Sequence, residues 1–180
     1  GAHREAADAE NRYVLTCKNT DKICIFTNKG QMHLLKVLDL PFGKFRDKGT
    51  PIDNLSNYNS SEENFVYITN LGAICNHRLI FGTKTAMLKI VDGSEFDVAK
   101  RTTAATKLTD GDEVLFVHPV AGNETIVMQS ERDFFLRIAV DTIPGEEKGC
   151  GRRPRHAACG RRCAYRDSSC SARVRAPRRR

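Results

Sequence analysis

One short pattern is written three times along this chain, and a repeated hairpin leaves few folds open. Ile25-Phe26-Thr27-Asn28-Lys29-Gly30 recurs as Ile80-Phe81-Gly82-Thr83-Lys84-Thr85, and more loosely as Val127-Met128-Gln129-Ser130-Glu131-Arg132. Asn and Gly between β-branched runs mark a tight turn, because both tolerate positive φ. Tyr13 to Cys17, Ile23 to Thr27 and Met32 to Leu38 read as strands. The strand after each turn carries a basic residue (Lys36, Lys89, Arg137). It ends in a short acidic-apolar element: Asp39-Leu40-Pro41, Ser94-Glu95-Phe96, and Asp141 to Pro144. A second half-motif follows the first two copies. Gly49-Thr50-Pro51-Ile52-Asp53-Asn54-Leu55 parallels Thr103-Ala104-Ala105-Thr106-Lys107-Leu108, with strand-like runs after each at Glu62 to Ile68 and Gly111 to Val117. The copies lie 55 and then 47 residues apart. Helical periodicity is missing. Periods near 50 residues with about four strands each predict an all-β, propeller-like array of four-stranded antiparallel blades. The blades fall near 12–70, 71–120 and 121–149, two to three in number, and each buries its apolar faces against its neighbours.

Charge divides the chain in two. The net charge is +7, which invites a nucleic-acid partner. Yet residues 1–149 hold 18 Lys and Arg against 21 Asp and Glu, and the last 31 residues hold 11 Arg against one acid. Any anion binding by the folded part therefore rests on how its charges are distributed, not on their total. Apolar residues make up 40% of the chain, Trp is absent and only 7% is aromatic, so an aliphatic core is expected. No apolar run is long enough to cross a bilayer, and Gly1 to Asn11 is a polar remnant with no signal-peptide character. A cytoplasmic location with no membrane partner is the expectation.

Phe26-Thr27-Asn28-Lys29-Gly30, then Leu35-Lys36-Val37, then Lys48-Gly49-Thr50-Pro51-Ile52-Asp53-Asn54-Leu55 resembles one blade of the C-terminal domain found in the A subunits of bacterial DNA gyrases. Ser94-Glu95-Phe96, Ala104 to Leu108 and Asp110-Gly111-Asp112-Glu113 resemble the next. The resemblance spans Tyr13 to Gly149, roughly three-quarters of the chain. It implies a β-pinwheel in which adjacent blades exchange a strand and double-stranded DNA bends around a basic perimeter. It also implies a module without a catalytic residue, metal or cofactor of its own, in a nucleoid-associated type IIA topoisomerase. In the intact enzyme, ATP and Mg act on other domains, a second A subunit completes the cleavage dimer, and the B subunit hydrolyses ATP. The cleavage tyrosine belongs to an N-terminal domain this chain lacks, and the family's array has more blades. The Gln-Arg-Arg-Gly-Gly-Lys-Gly box of gyrase is absent too. Either it lies outside this chain, or the parent is closer to topoisomerase IV.

Wrapping needs cations that meet phosphates without reading bases. The candidates are turn and loop residues: Lys29 and Lys84, read as the same hairpin position; Lys44, Arg46 and Lys48 after the third strand; and Lys100, Arg101 and Lys107 in the corresponding stretch of the next unit. Singly, such residues are ordinary solvated charges; the phosphate reading rests on their repetition. His33, His77 and His118 stand alone and read as structural. Cys17, Cys24 and Cys75 read as small hydrophobes. Asp110, Asp112 and Glu113 belong to a turn entering a strand, and no P-loop, Rossmann fingerprint or nucleophile elbow occurs. Two rival readings are a propeller-like protein-interaction domain and a truncated product without function.

Residues 150–180 form an Arg- and Cys-rich tail. From Gly151 on there is no Leu, Ile, Phe or Lys, so apolar burial cannot offset ordering and disorder is expected. Cys150, Cys159, Cys163 and Cys170 lack the Cys-x2-Cys knuckle of a zinc ribbon. Back-translated with GC-rich codons and shifted by one base, Gly149 to Cys159 can read Ala-Ala-Gly-Gly-Val-Arg-Gly-Met-Arg-Leu-Ala. That string resembles the Gly-Val-Arg-Gly segment following this repeat in the gyrase family. The tail is then a frameshift product; the alternative is a genuine basic arm. Nucleotide sequence across codon 149 should reveal the in-family frame, and its absence would leave the basic arm.

Overall fold

The computed structural model describes residues 13–44, 47–130 and 132–143, together with the backbone of 170 and 171. Its elements are strands joined by short turns. The first unit contains β1 (Lys22–Thr27), β2 (Gln31–Lys36) and β3 (Phe65–Asn70), followed by a single helical turn, α1 (Leu71–Ile74). The second contains β4 (Arg78–Thr83), β5 (Leu88–Asp92), β6 (Thr102–Ala104) and β7 (Val114–Val120), and the third contains β8 (Thr125–Ser130) and β9 (Phe135–Ala139). β10 (Cys170–Ser171) pairs with Ser130 and Gln129 of β8. The acidic-apolar elements that end the hairpins are 3-10 turns, at Val37–Asp39, Gly93–Phe96 and Val140–Thr142. Tyr13 to Cys17, expected as a strand, forms none: its local alternation finds no partner strand, and Tyr13 is held instead by its hydroxyl, which donates to the Val66 carbonyl at 3.3 Å.

All pairings are antiparallel, in the sheet orders β3-β1-β2-β6, β5-β4-β7 and β10-β8-β9. The first order contains the main topological fact. β6 lies between β5 and β7 in sequence, yet it pairs with β2 of the preceding unit, Gln31 opposite Ala104 and His33 opposite Thr102. In the parallel half-motif of the first unit Thr50 and Pro51, which match Thr103 and Ala104, form no strand, and a 3-10 turn follows at Ile52–Asn54. A strand forms only where an edge is there to receive it. β2 offers that edge to the second unit, and among the described residues no earlier blade offers one to the first.

Hydrogen bonding fixes the true repeat. Each turn closes through a 3.0 Å bond, Gly30 N–H to Thr27 O, Ala86 N–H to Thr83 O, and Asp133 N–H to Ser130 O. In each, the donor is left-handed, with φ of 71°, 62° and 60°. Thr27, Thr83 and Ser130 are thus equivalent, so the first two copies are offset by one residue more than the hexapeptide match implies. A register shift falls at Phe26/Thr27 and again at Gly82/Thr83. Phe26 therefore corresponds to Gly82, whose missing side chain leaves room for the Phe116 ring. Lys84 takes the place of Asn28, not of Lys29.

Each sheet buries a face against the next. Cys24, Phe26, Met32 and Leu34 of the first pack on Leu79, Phe81, Val91 and Val117 of the second. Phe26 meets Phe96 edge-on at 5.1 Å between ring centroids and Phe81 at 5.7 Å, so the core is aromatic at its centre rather than aliphatic throughout, and Ala105, the residue after β6, is fully buried in it. The opposite face of the second sheet (Ile80, Ile90) packs on Ile126 and Met128 of the third. On the far face of the third sheet Val127 is 42% exposed and Phe135 69%.

Left-handed backbone at a residue with a Cβ carries a measurable cost. Ala86 holds a conformation that costs about 1 kcal/mol relative to Gly, so Ala86→Gly should raise stability by about that amount. At Gly30 a Cβ would also lie 2.7 Å from the Thr106 carbonyl, so Gly30→Ala should destabilise by more. Denaturant midpoints at unchanged slope test both.

Candidate nucleic-acid interface

The exchanged strand gathers the candidate cations. β6 runs antiparallel along the outer edge of β2, so its two ends lie beside opposite ends of that strand. At one end the Leu34 N–H donates to Arg101 O at 2.7 Å, which places Lys100 and Arg101 next to Lys36. All three side chains are exposed. At the other end Gly30 O accepts from Ala105 N–H and Thr106 N–H. The Lys29 turn therefore lies beside Lys107, and both residues are exposed. The two groups are separated by the six residue steps from Arg101 to Lys107, at most about 20 Å of chain.

Lys84 joins the second group through Glu113. The Glu113 carbonyl accepts from Lys84 N–H at 2.8 Å, while its carboxylate takes Lys29 Nζ at 3.5 Å and Asn28 Nδ2 at 3.4 Å. Lys44 and Lys48 are exposed on the segment after the first 3-10 turn, and Lys44 N–H is capped by the Asp47 carboxylate at 2.7 Å. Arg46 lies outside the described residues. Five of the eight candidates thus divide between two ends of one sheet edge, Lys100 and Arg101 at one and Lys29, Lys84 and Lys107 at the other, while Lys44 and Lys48 lie on a separate loop segment. Lys36 and Lys89, which the sequence treats as guards of a sheet face, belong to the same neighbourhood; Lys89 Nζ donates to the Lys107 carbonyl at 2.9 Å. Strand exchange brings them there, and no local pattern signals it.

Carboxylates temper this charge. Arg101 lies 3.9 Å from Asp39, and Lys22 forms a 2.9 Å pair with Asp97. These pairs are largely exposed, so each contributes little to stability. Their role is to compete with other anions for the same cations.

A chain of polar groups around the buried His33 holds β6 in place. Asn57 Nδ2 donates to Thr102 Oγ1 at 3.1 Å, Thr102 Oγ1 meets His33 Nδ1 at 3.0 Å, and His33 Nε2 meets both Glu63 oxygens at 3.2 Å. His33 is 2% exposed. With the hydroxyl donating to Nδ1 and Nε2–H donating to Glu63, every member is satisfied, a requirement for buried polar groups. The order hydroxyl, imidazole, carboxylate is that of a nucleophilic triad, but its work here is to fasten a strand from the second unit onto the first. His33, isolated in the sequence, is not isolated in the fold: its partner Glu63 lies too far along the chain to be recognised by spacing. Cys24 is fully buried, and burial pushes the Cys75 thiol up, so both behave as hydrophobes. Among the described residues no cluster of His, Cys, Asp and Glu could hold a metal. The cysteine-rich tail lies outside the described residues, apart from the Cys170 and Ser171 backbone.

Asp112 organises the second turn as Glu63 organises the first edge. Its carboxylate accepts from Thr85 Oγ1 at 2.7 Å and from the N–H groups of Thr85 at 3.0 Å and Glu113 at 2.9 Å. Burial works against the charge, but the bonds from Thr85, Thr83 and the two backbone N–H groups prevail and lower its pKa.

Known proteins share this architecture. A family model described as the DNA gyrase C-terminal domain, beta-propeller, matches residues 21–58 and 77–121. The A subunit of DNA gyrase from Lawsonia intracellularis is 29% identical over 150 residues, 83% of this chain and 18% of that protein. Its counterpart from Chlamydia muridarum is 32% identical over 117 residues, 64% of this chain and 14% of its own length. The chain thus spans less than a fifth of these relatives. Among solved structures, the C-terminal domain of DNA topoisomerase IV superposes with a TM-score of 0.70 at 18% identity, over 82% of this chain and 49% of that one. The DNA gyrase A C-terminal domain gives 0.53 at 18% identity, over 75% and 43%. At such identities the likeness is one of fold.

The lowered pKa of Asp112 links stability to pH with a definite sign. Its stabilising contribution is complete above the ordinary aspartate value, about 3.9, and is lost as pH falls through the depressed folded value. Asp112→Asn should lower stability at neutral pH and flatten the acid limb below about pH 4, measured as thermal midpoint against pH.

Proposed function

The chain belongs to the DNA gyrase C-terminal domain family through residues 21–58 and 77–121, and on that premise we propose that it binds and helps to bend double-stranded DNA without catalysing a reaction. The observation that carries this reading is the outer strand β6 with Lys100, Arg101 and Lys36 at one end and Lys29 and Lys107 at the other. Cations at both ends of an extended edge can hold two stretches of phosphate backbone at once. One charge at one point would not resist bending, which costs about 1–6 kcal/mol over a short site. Lys84, Lys44, Arg46 and Lys48 extend the set. Phosphate neutralisation requires no base contact, so the binding is sequence-tolerant.

In the intact enzyme this module would work in the bacterial cytoplasm beside a second A subunit, with the B subunit hydrolysing ATP. It would steer the DNA segment presented for strand passage in a gyrase or topoisomerase IV. ATP and Mg would act on those other domains. The acid excess of residues 1–149 is compatible with such a role, because carboxylates beside the cations keep weak, reversible contacts from becoming tight ones.

A titration of the full chain with random-sequence duplex DNA at two salt concentrations tests the reading, the tail contributing equally to every variant. Arg101→Gln and Lys107→Gln should each weaken binding and reduce the salt slope by about 0.9 for every phosphate no longer neutralised. Glu113→Gln should strengthen binding by releasing Lys29. Unchanged affinity in all three would favour a protein-interaction domain instead.

A further inference from the structure

Among the described residues β6 is the last strand of its sheet, and its register decides which of its backbone groups face outward. Leu34 N–H donates to Arg101 O and Ala105 N–H donates to Gly30 O, at 2.7 and 2.8 Å. Residues 101 and 105 are therefore in hydrogen-bonded positions, and antiparallel alternation assigns Thr103 opposite Met32 to the same class. Thr102 and Ala104 fall between them, with their N–H and C=O groups turned away from β2. The side chains leave this edge open. Ala104 is exposed and carries only a methyl group, and the Thr102 hydroxyl is turned onto the face of the sheet by His33 and Asn57. Lys100, Arg101 and Lys107 stand at its two ends, so an anion drawn to those cations arrives at two outward N–H donors.

We propose that the free edge of β6 is a phosphate-docking edge, where the Thr102 and Ala104 N–H groups donate directly to the DNA backbone. The inference rests on the DNA-binding reading above and adds neutral donors, fixed by the fold, to its flexible cations. The two N–H groups lie two residues apart on an extended strand, about 6.6 Å, so each can meet a different phosphate oxygen. N–H groups held by a sheet need no ordering on binding, unlike Lys and Arg side chains, which lose rotamer freedom. The outward carbonyls of the same residues repel phosphate, and the flanking cations offset that repulsion. The cations have a further effect: they keep the edge from pairing with another strand.

Proline separates the edge from the ladder. Ala104→Pro removes an outward N–H and no ladder donor, a position where an edge strand accepts Pro; Thr103→Pro removes a ladder donor and reports the cost of losing the strand. With random-sequence duplex DNA as the probe, Ala104→Pro in the full chain should keep its thermal midpoint. It should lose roughly tenfold in affinity, the worth of a hydrogen bond to a charged acceptor, with an unchanged salt slope because no charge is removed. Amide exchange of the parent chain supplies a measurement independent of any variant: the Thr102 and Ala104 amides should slow when DNA is added. If both exchange equally fast with and without DNA, or if a folded Ala104→Pro binds as the parent does, the docking edge is wrong. The DNA-binding reading survives that result provided Arg101→Gln and Lys107→Gln still weaken binding, and fails with it if they do not.

Discussion

Burial of one sheet against the next is the interaction on which everything else rests. The Cys24 and Phe26 face of the first sheet has no interior of its own, and a lone three-stranded sheet would leave these residues in water. Phe26 becomes 1% exposed because Phe81 and Phe96 of the second unit close over it. β6 then crosses from the second unit to the first and brings Ala105 into the same core. Apolar contact and strand exchange reinforce one another, since the aromatic core brings the units together and β6 completes the four-stranded sheet. The His33, Thr102 and Glu63 chain seals the join around an imidazole too buried to be left unsatisfied.

The same crossing produces the electrostatic arrangement. Lys100, Arg101 and Lys107 belong to the second unit by sequence, but the crossing delivers them to the outer edge of the first, beside Lys36 and Lys29. A blade built only from consecutive strands would leave β2 bare and these cations elsewhere. Site and fold are therefore one fact: whatever weakens the hold on β6 also disperses the charges. The carboxylates at Asp39 and Glu113 set the strength of the edge rather than its location, and their partial exposure makes that strength sensitive to salt.

Much of this is legible in the sequence because much of it is local. Turn chemistry places the hairpins, the acidic-apolar elements announce the 3-10 turns, and the spacing predicts the blade array. What escapes has a common cause. The hexapeptide match aligns Lys29 with Lys84 because it compares letters, whereas the fold aligns the left-handed residues Gly30, Ala86 and Asp133 and the register shifts at Phe26/Thr27 and Gly82/Thr83, one residue off that match. Tyr13 to Cys17 alternates like a strand but meets no edge. Thr50-Pro51 and Thr103-Ala104 hold matching places in the two half-motifs, yet only the second pair lies in a strand, because pairing is a property of the partner as much as of the segment. Of the candidate site, residue identities are readable and their assembly is not.

The third sheet shows the same logic from its open side. Val127 corresponds to Ile80 and Cys24, both fully buried by the following sheet. Gln129 stands where Phe26 and Gly82 stand, and Phe135 lies opposite it. Among the described residues nothing covers this face, so Val127 and Phe135 remain in contact with water. Each such residue forgoes about 1.5–3 kcal/mol that full burial would provide. The interface between the first and second sheets, closed by an aromatic cluster and an exchanged strand, is therefore the most strongly held part of the array, and it carries the cationic edge. The part proposed to grip DNA is the part whose geometry depends least on what lies beyond the third sheet.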